Sequence, residues 1–242
     1  MGPIYSIPRD DEQETHQDSP HTTPRRVIPK TPAEATWAPR KRGVPVHYLF
    51  LDVQTTNDDE PQLLSLDAVL YEIEHGIPTK GESMGEIIQP RRPYSILRHM
   101  QDVRVHGIPV EVLSTKGRAA ADVVRDLFDM ITRGTGVDYI QDHDKLVVVG
   151  HSVEGMMSNL MAAARVDETL YNFWNELEVL CQHTHDTLDE ALLVYPDRVN
   201  YSLEHLLAFL SLPLPENRAQ AVADLYMATQ DEMLSYDPVM ID

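Results

Sequence analysis

The rhythm of apolar and polar residues changes at about residue 46. From Val46 to Val53 (VHYLFLDV) the chain is a short apolar run rich in β-formers. It predicts a buried strand ending at Asp52. Leu63 to Glu74 alternates at Leu66, Ala68 and Leu70 and then breaks phase at Tyr71 and Ile73; it is read as a second strand. Met84 to Ile88 predicts a third, ended by Pro90. Between Lys116 and Arg133, Ala120, Val123, Val124, Leu127, Met130 and Ile131 recur at helical spacing and predict an amphipathic helix. Lys145 to Gly150 (KLVVVG) predicts a buried strand, Ser152 to Ala164 a helix and Glu178 to Cys181 a further strand. Ser202 to Leu212 and Asn217 to Leu234 predict helices, the first begun by a Ser N-cap. Strands first, then alternating helices and strands, predict an α/β domain on a mixed sheet. There is no internal repeat.

Residues 1–45 follow neither period. They hold 8 of the 17 prolines, few large aliphatics, and 7 basic against 6 acidic residues. Such a stretch cannot bury enough apolar surface to offset its ordering entropy, so it is read as an extended arm, disordered or ordered by a partner. Trp37 and the basic run Arg40-Lys41-Arg42 are its candidate partner-binding residues, because Trp is a common interface anchor. The domain is expected over 46–234, with a short tail at 235–242. No apolar core segment stands near the N-terminus, so no secretory leader is expected.

Charge narrows the function. The chain has 242 residues with a net charge of −19, and residues 46–242 carry 33 acidic against 13 basic side chains. A domain so acidic repels nucleic acid phosphates unless a local basic patch or a bound metal offsets it. Nucleic acid binding is therefore disfavoured but open, and a protein partner held through the arm is expected. The single cysteine, Cys181, excludes an internal disulfide framework and fits a reducing compartment. No apolar run reaches the roughly 18 residues of a membrane span. The expectation is an intracellular protein, cytoplasmic or nuclear, with no membrane partner.

Four local patterns occur in one order. They are Tyr48-Leu49-Phe50-Leu51-Asp52-Val53-Gln54; Val105-His106-Gly107-Ile108 ahead of a helix; Gly150-His151-Ser152-Val153-Glu154 leading into a helix; and His185-Asp186-Thr187-Leu188 with Tyr201-Ser202-Leu203 before a last helix containing Asn217-Arg218-Ala219 and Val222. Together they resemble the DEDD superfamily of DnaQ-type 3′→5′ exonucleases, over roughly residues 47–234. The resemblance implies an RNase H-like five-stranded mixed sheet flanked by helices. It also implies chemistry by four carboxylates and a general base around two divalent ions about 4 Å apart. Mg²⁺ and Mn²⁺ are hard cations that ask for oxygen ligands.

At the matching positions this chain departs from that pattern. Asp52 stands where the first carboxylate is expected, but Gln54 takes the place of a Glu. Met156 takes that of an Asp, and a thioether is a poor ligand for a hard cation. Asn217 replaces the general base and Val222 the fourth carboxylate; a shifted register would offer Asp224. The resemblance with this degenerate set implies a catalytically inactive exonuclease-fold protein, acting as an interaction or structural module in a larger assembly, with no cofactor. Two alternatives stand beside it. One is an active or residually active exonuclease on single-stranded RNA or DNA, using Mg²⁺ or Mn²⁺ with Asp52, Glu154 and Asp224 as improvised ligands. The other is a nucleic acid binder that does not cleave, using the Arg40-Lys41-Arg42 arm with Arg91 and Arg92.

Lesser candidates carry less. Cys181, His183 and His185 would share a face on a strand and could ligate zinc, but lack a fourth ligand. Asp138, Asp142, Asp144 and His143 lack calcium-loop spacing and read as a solvated turn. His151 reads as a hydrogen-bonded structural histidine. Met156, Met157, Met161, Met227 and Met233 read as core packing or an adaptable partner surface.

Overall fold

The computed structural model describes residues 46–57, 59–74, 77–91, 107–136 and 145–235. Trp37, Arg40, Lys41, Arg42, Arg92, Arg98, His99, His106 and the acidic stretch 138–144 lie outside the described residues.

Three strands come first: β1 (Val46–Thr55), β2 (Leu63–Glu74) and β3 (Ile77–Ile87). They pair as an antiparallel meander. Then follow α1 (Val110–Lys116), α2 (Ala120–Thr135), β4 (Leu146–Gly150), α3 (Val153–Val166), a 3₁₀ turn over Glu168–Phe173, α4 (Trp174–Leu180) and β5 (Thr184–Asp186). The chain ends in α5 (Thr187–Val194), α6 (Leu203–Phe209) and α7 (Arg218–Ser235). Strand order is β3-β2-β1-β4-β5, with β1, β4 and β5 mutually parallel. Parallel neighbours need crossovers, and the helices between β3 and β5 supply them. The fold is α/β on a five-stranded mixed sheet, as the resemblance implies.

The central strand explains the layering. Successive side chains of a strand alternate faces. Leu49 and Leu51 join one core with α2, α3 and α4, built from Val124, Leu127, Ile131, Leu160 and Leu177. Tyr48 and Phe50 point the other way, against Tyr71 and Tyr226 of α7. Asp52 continues this second face, so the period of two delivers it to the start of α7. Ala219, Ala221, Val222 and Ala223 are fully buried, and these mostly small side chains let α7 lie close to the sheet.

Several expectations need correction. Glu178–Cys181 is not a strand; it is the end of α4, where Leu177 and Leu180 bury one helical face. A short apolar run does not distinguish the two by periodicity. The strand lies further on, at Thr184–Asp186. Cys181 therefore closes a helix, its Sγ donating to the carbonyl of Leu177 at 3.3 Å, and does not share a strand face with His183 and His185. The zinc reading falls with that strand. The helix expected from Lys116 starts at Ala120. Arg118 pairs with Ile88 across an isolated parallel bridge, and a Cβ on Gly117 would lie 2.7 Å from the Gln89 nitrogen, so only glycine lets the two segments approach there. The third strand begins at Ile77 rather than Met84. The helix at Ser202 stops at Phe209. α5 has no counterpart in the sequence reading.

Candidate functional site

Asp52 is the natural starting point because the period of β1 buries it beneath α7. Its side chain is only 12% exposed. Asp67 is its partner across the β1–β2 ladder. Like charges directly opposite on neighbouring strands repel, so this pair needs a neighbouring cation or a proton.

Arg218, the first residue of α7, supplies the cation. Its Nε donates to Asp52 Oδ2 at 3.1 Å, its Nη1 to Glu204 Oε1 at 2.7 Å, and its backbone N–H to Asp67 Oδ2 at 2.8 Å. One residue thus gathers carboxylates from β1, β2 and α6. Burial works against the guanidinium's charge, but Asp52 and Glu204 more than offset it and hold the pKa above its ordinary value. Glu204 is held below the usual carboxylate range despite partial burial, because Arg218 bonds to its ionised form. Gln54 adds a second donor to Asp52 Oδ2, its Nε2 lying 2.7 Å away.

Burial pushes Asp67 up to about 6; the Arg218 N–H opposes the rise and the charge of Asp52 adds to it. Between the ordinary carboxylate value and 6, the folded state holds more protons than the unfolded one. Stability then falls as pH rises through that window. Asp67→Asn, whose amide oxygen can still accept the Arg218 N–H, is expected to raise the melting temperature at pH 7.5, with the gain fading towards pH 4. Screening at this partly open position limits the effect to about 1 kcal/mol. Thermal unfolding of both proteins across pH reads it.

The neighbouring positions are already engaged. Asn217 caps α7: its Oδ1 accepts from the Gln220 N–H at 2.9 Å and its Nδ2 donates to the Met84 carbonyl at 2.7 Å. Val222 is fully buried, one turn beyond Arg218. Met156 is buried, and its Cε would lie 3.0 Å from a Cβ on Gly150. His151 lies with Nε2 2.7 Å from the Tyr201 carbonyl and Nδ1 3.0 Å from Thr187 Oγ1. Burial lowers its pKa, which favours the neutral ring donating from Nε2 and accepting at Nδ1. Asp186 accepts from the N–H groups of Ser152, Val153 and Leu188, each at 2.9 Å. Of the improvised ligands, Glu154 is exposed on α3, and Asp224 accepts from Gln220 Nε2 at 2.7 Å. Arg91 pairs with Asp167 at 2.8 Å, beside a cavity of about 270 Å³ lined by Pro61, Ile88 and Leu170.

No family model and no curated relative matches the chain. Solved structures do. A full-length 3′-exonuclease matches with a TM-score of 0.56 at 11% identity, over 78% of this chain and 84% of that one. Product-bound exonuclease I matches with a TM-score of 0.54 at 17% identity, over 79% of this chain and 45% of that one. E. coli exonuclease I in complex with a dT13 oligonucleotide gives 0.53 and 19%, over 79% and 43%. The chain shares the fold of these exonucleases. The chain spans less than half the length of these exonuclease I structures.

Within this exonuclease fold the donor set can be tested against a pair of divalent ions. Asp52 is the one carboxylate at the four expected positions, and its Oδ2 accepts from Gln54 and Arg218. Gln54 brings an uncharged amide whose Nε2 is already engaged with Asp52, Met156 a thioether, Asn217 a committed cap and Val222 no donor atom. This set does not fit two hard cations. Sequence reasoning missed Arg218, Asp67 and Glu204. A signal existed for the first: Arg218 is the sole Lys or Arg between residues 199 and 242.

Proposed function

We propose that this chain is a catalytically inactive exonuclease-fold protein serving as an interaction or structural module in a larger assembly. The observation that carries the reading is the ion pair between Arg218 and Asp52. The lone carboxylate at the expected ligand positions is neutralised from within the chain, and Asn217, at the position expected for the general base, cannot take up a proton. The acidity of residues 46–242 supports a protein partner over a polyphosphate one. So do the exposed apolar side chains Leu192, Leu193, Val199, Phe209 and Leu214, all on α5, α6 and the loops that follow them. The arm with Trp37, Arg40, Lys41 and Arg42 is the proposed tether.

Purified full-length chain incubated with end-labelled single-stranded RNA and DNA, in Mg²⁺ or Mn²⁺, is expected to leave both intact. Shortening that needs the metal and disappears in Asp52→Ala would overturn the proposal in favour of a residual exonuclease. A salt-sensitive gel shift without shortening would instead favour the non-cleaving binder.

A further inference from the structure

An arginine at the first position of an 18-residue helix is out of place by local rules. The helix N-terminus carries partial positive charge and favours anions, so a cation there is locally unfavourable. A residue that breaks a local rule is one whose reason lies elsewhere in the fold. Here the reason is three carboxylates from three elements. Asp52 and Asp67 face each other across the ladder, and Glu204 approaches from α6. Arg218 touches all of them, at 3.1, 2.8 and 2.7 Å. Among the described residues no three acidic, His or Cys side chains are grouped to hold a metal as they stand, and the guanidinium lies between Asp52 and Glu204.

The geometry points to Arg218 as the resident cation of this site: its guanidinium gives Asp52 and Glu204 the charge compensation that a divalent ion gives the ligands of a metal-dependent nuclease, and it excludes such an ion. The assignment deepens the inactive reading proposed above and rests on it. A guanidinium is always charged and forms directed bonds to carboxylates, so the compensation is permanent and independent of metal supply. It also performs none of a metal's chemistry, because it cannot activate a water or coordinate a leaving oxygen. Gln54 fits the same assignment. Where a second carboxylate would add to the charge to be neutralised, its amide donates to Asp52 instead.

The test is thermal unfolding of the full chain, in EDTA and in a MnCl₂ titration to about 10 mM, with MnCl₂ alone as the probe. The unaltered protein is expected to show no shift. Arg218→Gln is expected to melt lower in EDTA and to recover about 3 °C or more with Mn²⁺, as a folded-state ligand requires. Asp52→Asn combined with Arg218→Gln is expected to melt above Arg218→Gln alone in EDTA, because the uncompensated carboxylate is gone, and to ignore Mn²⁺. This double variant decides the matter even if the single one does not fold. Three results would overturn the assignment: an Asp52-dependent Mn²⁺ shift in the unaltered chain, a folded Arg218→Gln blind to Mn²⁺, or a double variant no more stable than the single one. The nuclease assay fails separately: metal-dependent cleavage by the unaltered chain sinks the inactive reading, whereas a blind Arg218→Gln with no cleavage sinks only the role given to Arg218.

Discussion

Replacing Phe50 by alanine should lower the unfolding free energy by about 3–5 kcal/mol, the usual range for deleting a buried aromatic ring. Phe50 is fully buried in the middle of β1. Its ring meets Tyr71 edge-on at 5.4 Å, Tyr226 at 5.4 Å and Tyr48 at 6.5 Å. Aromatic pairs of this kind add to area burial, so the loss belongs at the upper end of the range. Phe50→Leu keeps most of the volume and should cost roughly 1–2 kcal/mol. Urea denaturation followed by the linear extrapolation measures both. The effect also has a place. Phe50 shares its face of β1 with Asp52, and Tyr226 belongs to α7, so the cavity opens under the helix that carries Arg218. Amide exchange in α7 should accelerate more than in α2, which packs on the opposite face. An alanine variant within about 1 kcal/mol of the parent, with α7 still protected, would mean that this face does not seat α7.

That dependence explains what the sequence could and could not disclose. β1, β2, β4, α2 and α3 were legible because each buries a regular pattern: period two through Leu66, Ala68 and Leu70, and helical spacing through Val123, Val124, Leu127 and Ile131. The end of α4 was not, because Leu177, Val179 and Leu180 are too few to reveal a period. α5 was missed although Asp186 ahead of Asp189 and Glu190 is a usable start signal. At the site, Asp52, Gln54 and Met156 were found by their place in linear motifs. Asp67 and Glu204 belong to no such motif. They meet Asp52 only through the β1–β2 register and the return of α6, which are tertiary facts. Arg218 stands between Asn217 and Val222, but the linear motif calls for carboxylates there and carries no sign that a charge answers the remaining ones. A lone arginine at a helix N-terminus, within an acidic stretch, is the local contradiction that points to it.

The other support of the site can be removed by one substitution. Asp186→Ala should lower stability by roughly 2–4 kcal/mol, more than a single lost cap, because this carboxylate serves two helices. Its Oδ1 accepts from the N–H groups of Ser152 and Leu188, and its Oδ2 from that of Val153. The first and last of these belong to the start of α3, and Leu188 to the start of α5. Both helix N-termini thus aim orphan donors and partial positive charge at one anion. Ser152 adopts a left-handed conformation at φ 60°, which is strained for a residue with a side chain and is held in part by its bond to Asp186. Asp186→Asn keeps one acceptor oxygen and should lose about half as much. Ser152→Gly relieves the turn, and in the Asp186→Ala background it should restore part of the loss. The same turn carries His151 into its bonds with Tyr201 and Thr187, so Asp186→Ala should also loosen the Tyr201 segment that leads into α6 and Glu204. Denaturant unfolding of the four proteins, with proteolysis across residues 195–202, reads both effects. A drop below about 1 kcal/mol with an unchanged cleavage rate would mean that water caps these helices as well as Asp186 does, and that Glu204 reaches Arg218 without help from this turn.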